Sequence, residues 1–223
     1  MKKFFTVCTL IFLSPLSLLA SPIINEPEKP YAVTFLTEAV DQEQVFLGSL
    51  DGAPEMYEFK LSATSTFSAQ LRQPEDDLKA FSFIVVRQDD IGGGVTEVGR
   101  LMQPAAEWSL QEAKDVGFSF RSSDSFEREI GAGTYRLEVN SPDNSGNYML
   151  VFNGENKEEN SYKESLGEVR LTQDFFGYSS FRMFSSSLIY YPLGIIALIA
   201  GIGFTWWWQK QAAKKKDLPD HNA

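Results

Sequence analysis

The chain has 223 residues, with 30 Asp and Glu against 20 Lys and Arg, one histidine and one cysteine. A net charge of −10 argues against a nucleic-acid partner, because phosphate backbones attract basic surfaces. Since Cys8 and His221 lie at opposite ends, the residues between them hold no disulfide, no ordinary zinc site and no histidine-activated nucleophile.

The N-terminus has the pattern of a secretory signal peptide over residues 1–20. Two lysines precede an uncharged apolar run at residues 4–19, and Ala20 offers a small residue for cleavage. Leu18 departs from the small residue expected at position −3, so an uncleaved N-terminal anchor is the alternative. The pattern predicts that the residues after it are exported across a membrane.

The exported region, residues 21–187, carries 28 Asp and Glu against 14 Lys and Arg and contains no cysteine. A domain without disulfides depends on its core for stability, and this favours a bacterial envelope over a eukaryotic secretory pathway. In a Gram-negative cell the domain is then periplasmic. Residues 21–44 are predicted as a proline-rich lead-in with the first strand.

Short runs of β-branched and aromatic residues follow, separated by turn residues. In Tyr57–Leu61 and Tyr135–Val139 apolar and charged residues alternate, which is typical of strands with one buried face. Phe81–Val86 is more continuously apolar and indicates a central strand. Residues 104–114 predict a short helix beside the sheet. The predicted strands are Tyr31–Leu36, Gln44–Leu50, Met56–Leu61, Thr66–Leu71, Phe81–Arg87, Thr96–Leu101, Val116–Phe120, Gly133–Asn140 and Gly146–Phe152.

Strands at this regular spacing predict a mainly β fold, an antiparallel β-sandwich of jelly-roll type over residues 45–153. Turn residues support the prediction. Asp51–Pro54 separates two strands, and Ser141–Gly146 is predicted to close a hairpin between the last two.

The last two strands carry a family resemblance. Ala132-Gly133-Thr134-Tyr135 and Ser145-Gly146-Asn147-Tyr148-x-Leu150 are similar to the closing strands of bacterial pre-peptidase C-terminal (PPC) β-sandwich domains. There an Ala/Pro-Gly-Thr-Tyr strand is followed by a Ser-Gly-x-Tyr-x-Leu strand. The resemblance covers roughly Val45 to Phe152 and implies the sandwich fold. Such domains are accessory modules of secreted enzymes, and no enzyme domain accompanies this one.

A transmembrane helix is predicted at residues 188–208, which contain no charge. At about 1.5 Å per residue they cross a hydrocarbon core of about 30 Å. Tyr190 and Tyr191 at one end and Trp206–Trp208 at the other suit the two membrane interfaces. The basic tail, residues 209–223, is then cytoplasmic, which makes the chain a single-pass type I membrane protein.

Residues 154–187 are predicted as a stalk and juxtamembrane segment. Residues 154–163 are polar, and from Ser165 the apolar spacing is helical. The aromatic residues between Phe175 and Phe184 are expected to rest at the lipid surface. The alternative is that some of them complete the sandwich core.

Calcium is the metal that the composition favours. Asp89, Asp90, Asp124 and Asp143 are the predicted ligands, because Ca²⁺ prefers carboxylate and carbonyl oxygens, although their spacing matches no known ligand loop. No other cofactor is predicted.

Two pairs of adjacent carboxylates, Asp76-Asp77 and Asp89-Asp90, have the residue type that glycoside hydrolysis requires. Adjacent residues on a strand point to opposite faces, and both pairs fall where loops begin. They are therefore interpreted as solvated surface, and the chain is predicted not to be an enzyme.

Small residues in the predicted transmembrane helix, Gly194, Ala197 and Gly201, lie at spacings that allow close packing against another helix. The predicted partners are therefore membrane lipid and another envelope or membrane protein.

The preferred function is a membrane-anchored, extracytoplasmic binding module that is not an enzyme. Two alternatives remain. One is cargo sorting, because p24-type cargo receptors share the order of signal, β-sandwich, stalk and helix, although their lumenal cysteine pair is absent here. The other is a hydrolase acting on envelope glycans.

Overall fold

The computed structural model describes residues 22–25, 29–36, 43–89, 93–152 and 162–216, with side chains in the last helix as far as Gln211. The predicted signal peptide and the tail beyond residue 216 lie outside these residues. The strands within them are β1 (Pro22–Asn25), β2 (Val33–Phe35), β3 (Gln44–Asp51), β4 (Glu55–Leu61), β5 (Ser65–Pro74), β6 (Ser82–Gln88), β7 (Val95–Leu101), β8 (Ser109–Ala113), β9 (Phe118–Ser122), β10 (Phe126–Ile130), β11 (Gly133–Asn140) and β12 (Ser145–Phe152).

The strands form two sheets. One has seven strands in the order β1-β3-β12-β5-β9-β8, with β10 also paired to β5, and the other has the order β2-β4-β11-β6-β7. Most neighbours are antiparallel, whereas β1 pairs with β3 and β2 pairs with β4 in parallel. The predicted mainly β sandwich is therefore confirmed, with a parallel pair at one edge of each sheet.

The main core lies between the two sheets, and its side chains come from alternate positions along the strands. On β4, Tyr57, Phe59 and Leu61 are buried while Glu58 and Lys60 turn away from the core. The Phe59 ring stacks on Phe67 of the facing sheet, with ring centroids 4.9 Å apart. Full burial of a side chain of this size contributes about 1.5–3 kcal/mol, so these rings are a principal source of stability.

A second core covers the outer face of the seven-stranded sheet. Helix α1 (Tyr162–Phe175) packs there, with Val169 buried against Leu47 of β3 and Val151 of β12. Because β12 is covered on both faces, Tyr148 to Phe152 are all buried, and the end of β12 has no polar alternation. Part of the segment predicted as a stalk is thus packed against the sandwich.

The predicted hairpin at Ser141–Gly146 is wrong. β11 pairs with β4 and β6, whereas β12 pairs with β3 and β5, so the turn leads from one sheet to the other. Asn144 with φ +43° and Gly146 with φ +110° supply the reversal. Turn residues reveal where the chain reverses but not whether the following strand returns to the same sheet.

The predicted helix at residues 104–114 is also wrong. Only Ala105–Glu107 form a 3-10 helix, and Ser109–Ala113 form the edge strand β8. β8 has almost no buried side chain, so nothing in its sequence alternates, and pairing with β9 decides its conformation.

Helix α2 (Ser187–Lys216) contains a stretch, Ser187–Gln211, that is long and apolar enough to cross a membrane. Its apolar side chains beyond the first turn are largely exposed, as expected for a helix without a protein core around it.

The first turn of α2 is joined to the sandwich by hydrogen bonds. The Ser187 N–H donates to the carbonyl of Lys114 at 2.7 Å. Pro192 has no N–H, so the Leu188 carbonyl four residues earlier lacks its helical donor. The Tyr162 hydroxyl from α1 donates to that carbonyl instead, at 2.6 Å.

The turn between β8 and β9 completes this junction. The Ser186 hydroxyl donates to the Asp115 carbonyl, and the Gln173 side-chain amide donates to the Val116 carbonyl at 2.5 Å. Gly117 has φ +80°, and a Cβ there would lie 2.9 Å from the backbone nitrogen of Ser186. The junction therefore requires glycine at this position.

Candidate functional site

The described members of the predicted calcium site lie on separate loops. Asp89 follows β6, and its N–H donates to the Gly94 carbonyl; Asp124 follows β9, and its N–H donates to the Gln103 side chain. Asp143 lies in the turn before β12. The described residues hold no cluster of three or more His, Cys, Asp and Glu suited to a metal ion, and Asp90 lies outside them. Calcium binding stays a prediction.

The Asp143 carboxylate is satisfied by its own turn. It accepts hydrogen bonds from the hydroxyls of Ser141 at 3.0 Å and Ser145 at 2.6 Å. These bonds, with a smaller contribution from the charge of Lys79, lower the pKa of Asp143 to about 2. Its structural role is to hold the turn that leads from β11 into β12.

The residues predicted to pack against another helix lie on α2. A Cβ built at Gly194 or Gly201 would meet no atom within 4 Å. With Ala197, which lies between them in sequence, they leave a shallow surface on the helix. Helix–helix packing at this surface stays a prediction.

A buried polar cluster lies at one end of the sandwich, around Glu55. One carboxylate oxygen accepts hydrogen bonds from Asn25 at 2.8 Å, Tyr57 at 2.9 Å and Tyr148 at 2.8 Å, and the other accepts from the Ser49 N–H at 2.9 Å. Burial raises the pKa of both tyrosine hydroxyls, and the nearby Glu55 carboxylate raises it further, so both stay protonated donors. Glu55 is only 3 % exposed, which makes the cluster structural.

An open groove lies at the surface where three elements meet. Its volume is about 420 Å³. It lies between the turn after β5, the start of β12 and the segment after α1. The lining residues are Pro74, Asp76, Asp77, Gly146, Asn147, Phe176 and Tyr178.

Local chain reversals bring these residues together. Pro74 ends β5, and its carbonyl accepts the Asp77 N–H at 3.1 Å in a tight turn. α1 ends at Phe175, the chain reverses at Gly177, which has φ +70°, and the Tyr178 N–H donates to the Gln173 carbonyl at 2.9 Å. This helix ending turns Tyr178 toward the β5–β6 turn.

The groove contains two carboxylates and no lysine or arginine among its lining residues. The Tyr178 hydroxyl donates to Asp76 at 3.0 Å. Partial burial and this carboxylate raise the pKa of Tyr178 to about 12, so it remains a donor at neutral pH. The Arg182 guanidinium lies 4.1 Å from the centre of the Tyr178 ring, and Phe118 lies 4.5 Å from the same ring.

Sequence reasoning found Asp76 and Asp77 but interpreted them as solvated surface, and it missed Asn147 and the contribution of Tyr178. Tyr178 lies 102 positions from Asp76, and no local pattern indicates that pairing. The Gly177-Tyr178 sequence is the one signal, because a glycine after a helical run predicts where the helix ends.

No protein-family model matches the sequence, and no curated protein matches it. Several solved structures resemble the fold, including the following three. The pre-peptidase C-terminal domain of a Bacillus anthracis collagenase has 14 % identity and a TM-score of 0.33, and the match covers 57 % of this chain and 96 % of that one. The Yersinia pseudotuberculosis-derived mitogen has 12 % identity and a TM-score of 0.37, covering 54 % and 92 %. PliG of Aeromonas hydrophila, a periplasmic inhibitor of g-type lysozyme, has 12 % identity and a TM-score of 0.36, covering 59 % and 96 %.

A pre-peptidase C-terminal domain is thus among the structures that the chain resembles, as its sequence predicts. Identities of 12–14 % and TM-scores below 0.5 say nothing about what this chain binds. The chain is a two-sheet β-sandwich protein with one apolar C-terminal helix.

Proposed function

We propose that this chain is a membrane-anchored, extracytoplasmic binding module that is not an enzyme and holds a basic segment of another envelope protein in the groove between Asp76 and Asn147. The observation that carries the proposal is the groove itself, with its two carboxylates and no lining cation. A lysine or arginine entering it forms charge-assisted hydrogen bonds with those carboxylates.

Anchoring is supported by α2. Near the end of its apolar stretch, Lys210 lies 3.7 Å from the centre of the Trp206 ring, an arrangement suited to the cytoplasmic headgroup layer. Three further lysines follow in the sequence. Together with the signal peptide predicted at the N-terminus, this supports an orientation with the sandwich outside the membrane.

A protein ligand is favoured over a sugar by the way the aromatic rings are used. A sugar ring stacks on an open aromatic face, whereas the Tyr178 ring is covered by Phe118 and Arg182. Phe176 packs edge-on against Phe118 and Phe120, at 6.2 and 6.1 Å. The groups that the groove presents to a ligand are therefore carboxylates and an amide. The excess of acidic residues over the exported region also attracts a basic partner.

A binding role without catalysis is supported by the residue types. Residues 21–187 contain no histidine and no cysteine. Of the groove carboxylates, Asp76 accepts the Tyr178 hydroxyl and Asp77 accepts the Lys79 N–H at 3.2 Å. These hydrogen bonds within the protein fix the positions of both carboxylates, which suits recognition of a ligand of defined shape.

The test is site-specific photo-crosslinking in the native membrane. A benzophenone amino acid replaces Leu78, which is exposed on the turn beside Asp77. The same amino acid at Val95, exposed on β7, is the positional control. We expect a covalent adduct with a protein of defined mass from position 78 and none from position 95.

Matched charge variants then assign the adduct to the groove. Asp76→Asn with Asp77→Asn is expected to lower its yield about tenfold, which corresponds to roughly 1.4 kcal/mol. Glu127→Gln with Glu129→Gln, exposed on β10, removes the same charge elsewhere and is expected to leave the yield unchanged. An equal fall in adduct yield for both pairs of variants contradicts the proposal. A crosslinked adduct with a glycan in place of a protein contradicts it as well.

A further inference from the structure

The start of α2 is enclosed by the sandwich. Ser186 is fully buried, and Ser187 and Leu188 are 9 % and 2 % exposed. Contacts to the β8–β9 turn and to Tyr162 of α1 hold them there. No flexible stretch therefore separates the sandwich from the apolar helix.

The length of the helix places this junction at the membrane surface. Ser187–Gln211 contains 25 residues, which span about 37 Å. A hydrocarbon core is about 30 Å thick, and the headgroup layers bring the bilayer to about 40–45 Å. A centred helix therefore extends into both headgroup layers. The residues that bury Ser187 then lie at the level of the outer headgroups.

Two phenylalanines project from the protein at this level. The 3-10 helix Ser180–Ser185 directly precedes the junction, and its Phe181 and Phe184 are 81 % and 57 % exposed. Phe184 lies three residues from Ser187, a distance of at most about 11 Å. Arg182, between them in sequence, stacks on Tyr178 and ties this 3-10 helix to the sandwich.

We propose that Phe181 and Phe184 insert into the outer leaflet at the boundary between headgroups and acyl chains, and that they seat the sandwich directly on the bilayer. Removing an apolar side chain of this size from water contributes about 1.5–3 kcal/mol. The proposed occupant of this surface is lipid, because these exposed phenylalanines directly precede a helix that is long and apolar enough to cross a membrane. The inference rests on the membrane anchoring proposed above. It also places the groove close to the membrane, because Tyr178 is three residues from Phe181.

Spin labels report the depth of each side chain in the full chain reconstituted in phosphatidylcholine nanodiscs. Cys8→Ser removes the only native cysteine. Phe181→Cys, Phe184→Cys, Leu198→Cys and Met102→Cys are then labelled one at a time. Leu198 marks the middle of the helix, and Met102 is an exposed position on the sandwich. Accessibility to oxygen relative to a water-soluble nickel chelate gives the depth.

We expect the labels at positions 181 and 184 to lie about 5–10 Å into the interface, the label at 198 deep in the bilayer and the label at 102 in water. Aqueous values at 181 and 184 with a deep value at 198 overturn the proposed seating and leave the anchoring intact. If the two phenylalanines bind a protein partner instead of lipid, the labels at 181 and 184 are also expected to be aqueous, because the nanodiscs contain no such partner. An aqueous value at 198 overturns the anchoring itself.

Discussion

Glu55 connects the two sheets through a single carboxylate. Tyr57 lies on β4 of one sheet, whereas Ser49, Tyr148 and Asn25 belong to the other. A buried charge is costly unless it is fully hydrogen-bonded, and this one accepts four donors. The cluster therefore specifies how the sheets face one another at this end of the sandwich.

Glu55→Ala is expected to destabilise the protein by about 3 kcal/mol, a fall in Tm of roughly 6–12 °C, because three buried side-chain donors and the Ser49 N–H lose their acceptor. Thermal unfolding of the full chain in detergent micelles, followed by circular dichroism, measures the change. Glu129→Ala, at an exposed position on β10, is the control and is expected to change stability by less than about 0.5 kcal/mol. Equal Tm values for the two variants contradict a structural role for the cluster.

Gly48 is needed beside this cluster for a steric reason. A Cβ at this position would lie 2.4 Å from Cζ of Tyr148 and 2.8 Å from the Glu55 carboxylate. Gly48→Ala is therefore expected to cost about 1–3 kcal/mol through overpacking. At Gly131 a Cβ meets no atom within 4 Å, and Gly131→Ala is expected to be neutral in the same melting experiment. A neutral Gly48→Ala shows that the Tyr148 ring moves aside without loss.

Single residues of this cluster were not predictable from the sequence. The alternation that places Tyr57 and Leu61 in the core puts Glu55 on the same face of β4, but no local pattern identifies the donors that satisfy a buried carboxylate there. Its partner Tyr148 lies 93 positions away. Burial of a charge depends on donors that come from distant strands, and only the assembled sheets reveal them.

At the scale of elements, each strand predicted from the sequence overlaps an observed strand, whereas β1, β8 and β10 were missed. Apart from β2 and β7, which are mostly exposed or half-buried, the predicted strands bury at least one face and therefore alternate or are continuously apolar. β8 and β10 contain mostly exposed side chains, so pairing with β9 and β5 determines them. The groove could not be predicted from the sequence either, because its lining comes from a turn, the start of a strand and the end of a helix that lie far apart along the chain.

The junction between α1 and α2 allows a double-mutant cycle. Tyr162→Phe removes the hydroxyl that donates to the Leu188 carbonyl, and we expect a loss of about 1 kcal/mol. Pro192→Ala restores a backbone N–H that can donate to the same carbonyl. In the Pro192→Ala background, Tyr162→Phe is therefore expected to cost nearly nothing.

Unfolding of the four proteins in detergent micelles measures the coupling energy, which we expect to be about 1 kcal/mol. If the changes in unfolding free energy of the two single variants are additive, the Tyr162 hydroxyl does not replace the N–H that Pro192 lacks. Arg170→Ala, which removes an exposed ion pair with Asp174 on the same helix, is the control for a change on α1.

For the whole molecule, the distribution of charge and apolar surface supports the proposed orientation. Of the 30 Asp and Glu residues, 28 lie in residues 21–187, while four of the last fourteen residues are lysines. Basic residues beside a transmembrane helix are retained on the cytoplasmic side. With the proposed orientation, the rigid junction would set both the side of the membrane on which the sandwich lies and the direction in which the groove opens.

Reporter fusions test the orientation. Green fluorescent protein fused after Ala223 is expected to fluoresce in a Gram-negative host, because it folds in the cytoplasm and not after export in unfolded form. Alkaline phosphatase at the same position is expected to be inactive, and phosphatase fused after Ser161, before α1, is expected to be active because it is exported. Replacing Lys210, Lys214, Lys215 and Lys216 with glutamate removes the basic flank and is expected to reduce the fluorescent fraction. Active phosphatase after Ala223 would reverse the orientation and place the groove in the cytoplasm, where an envelope partner cannot reach it.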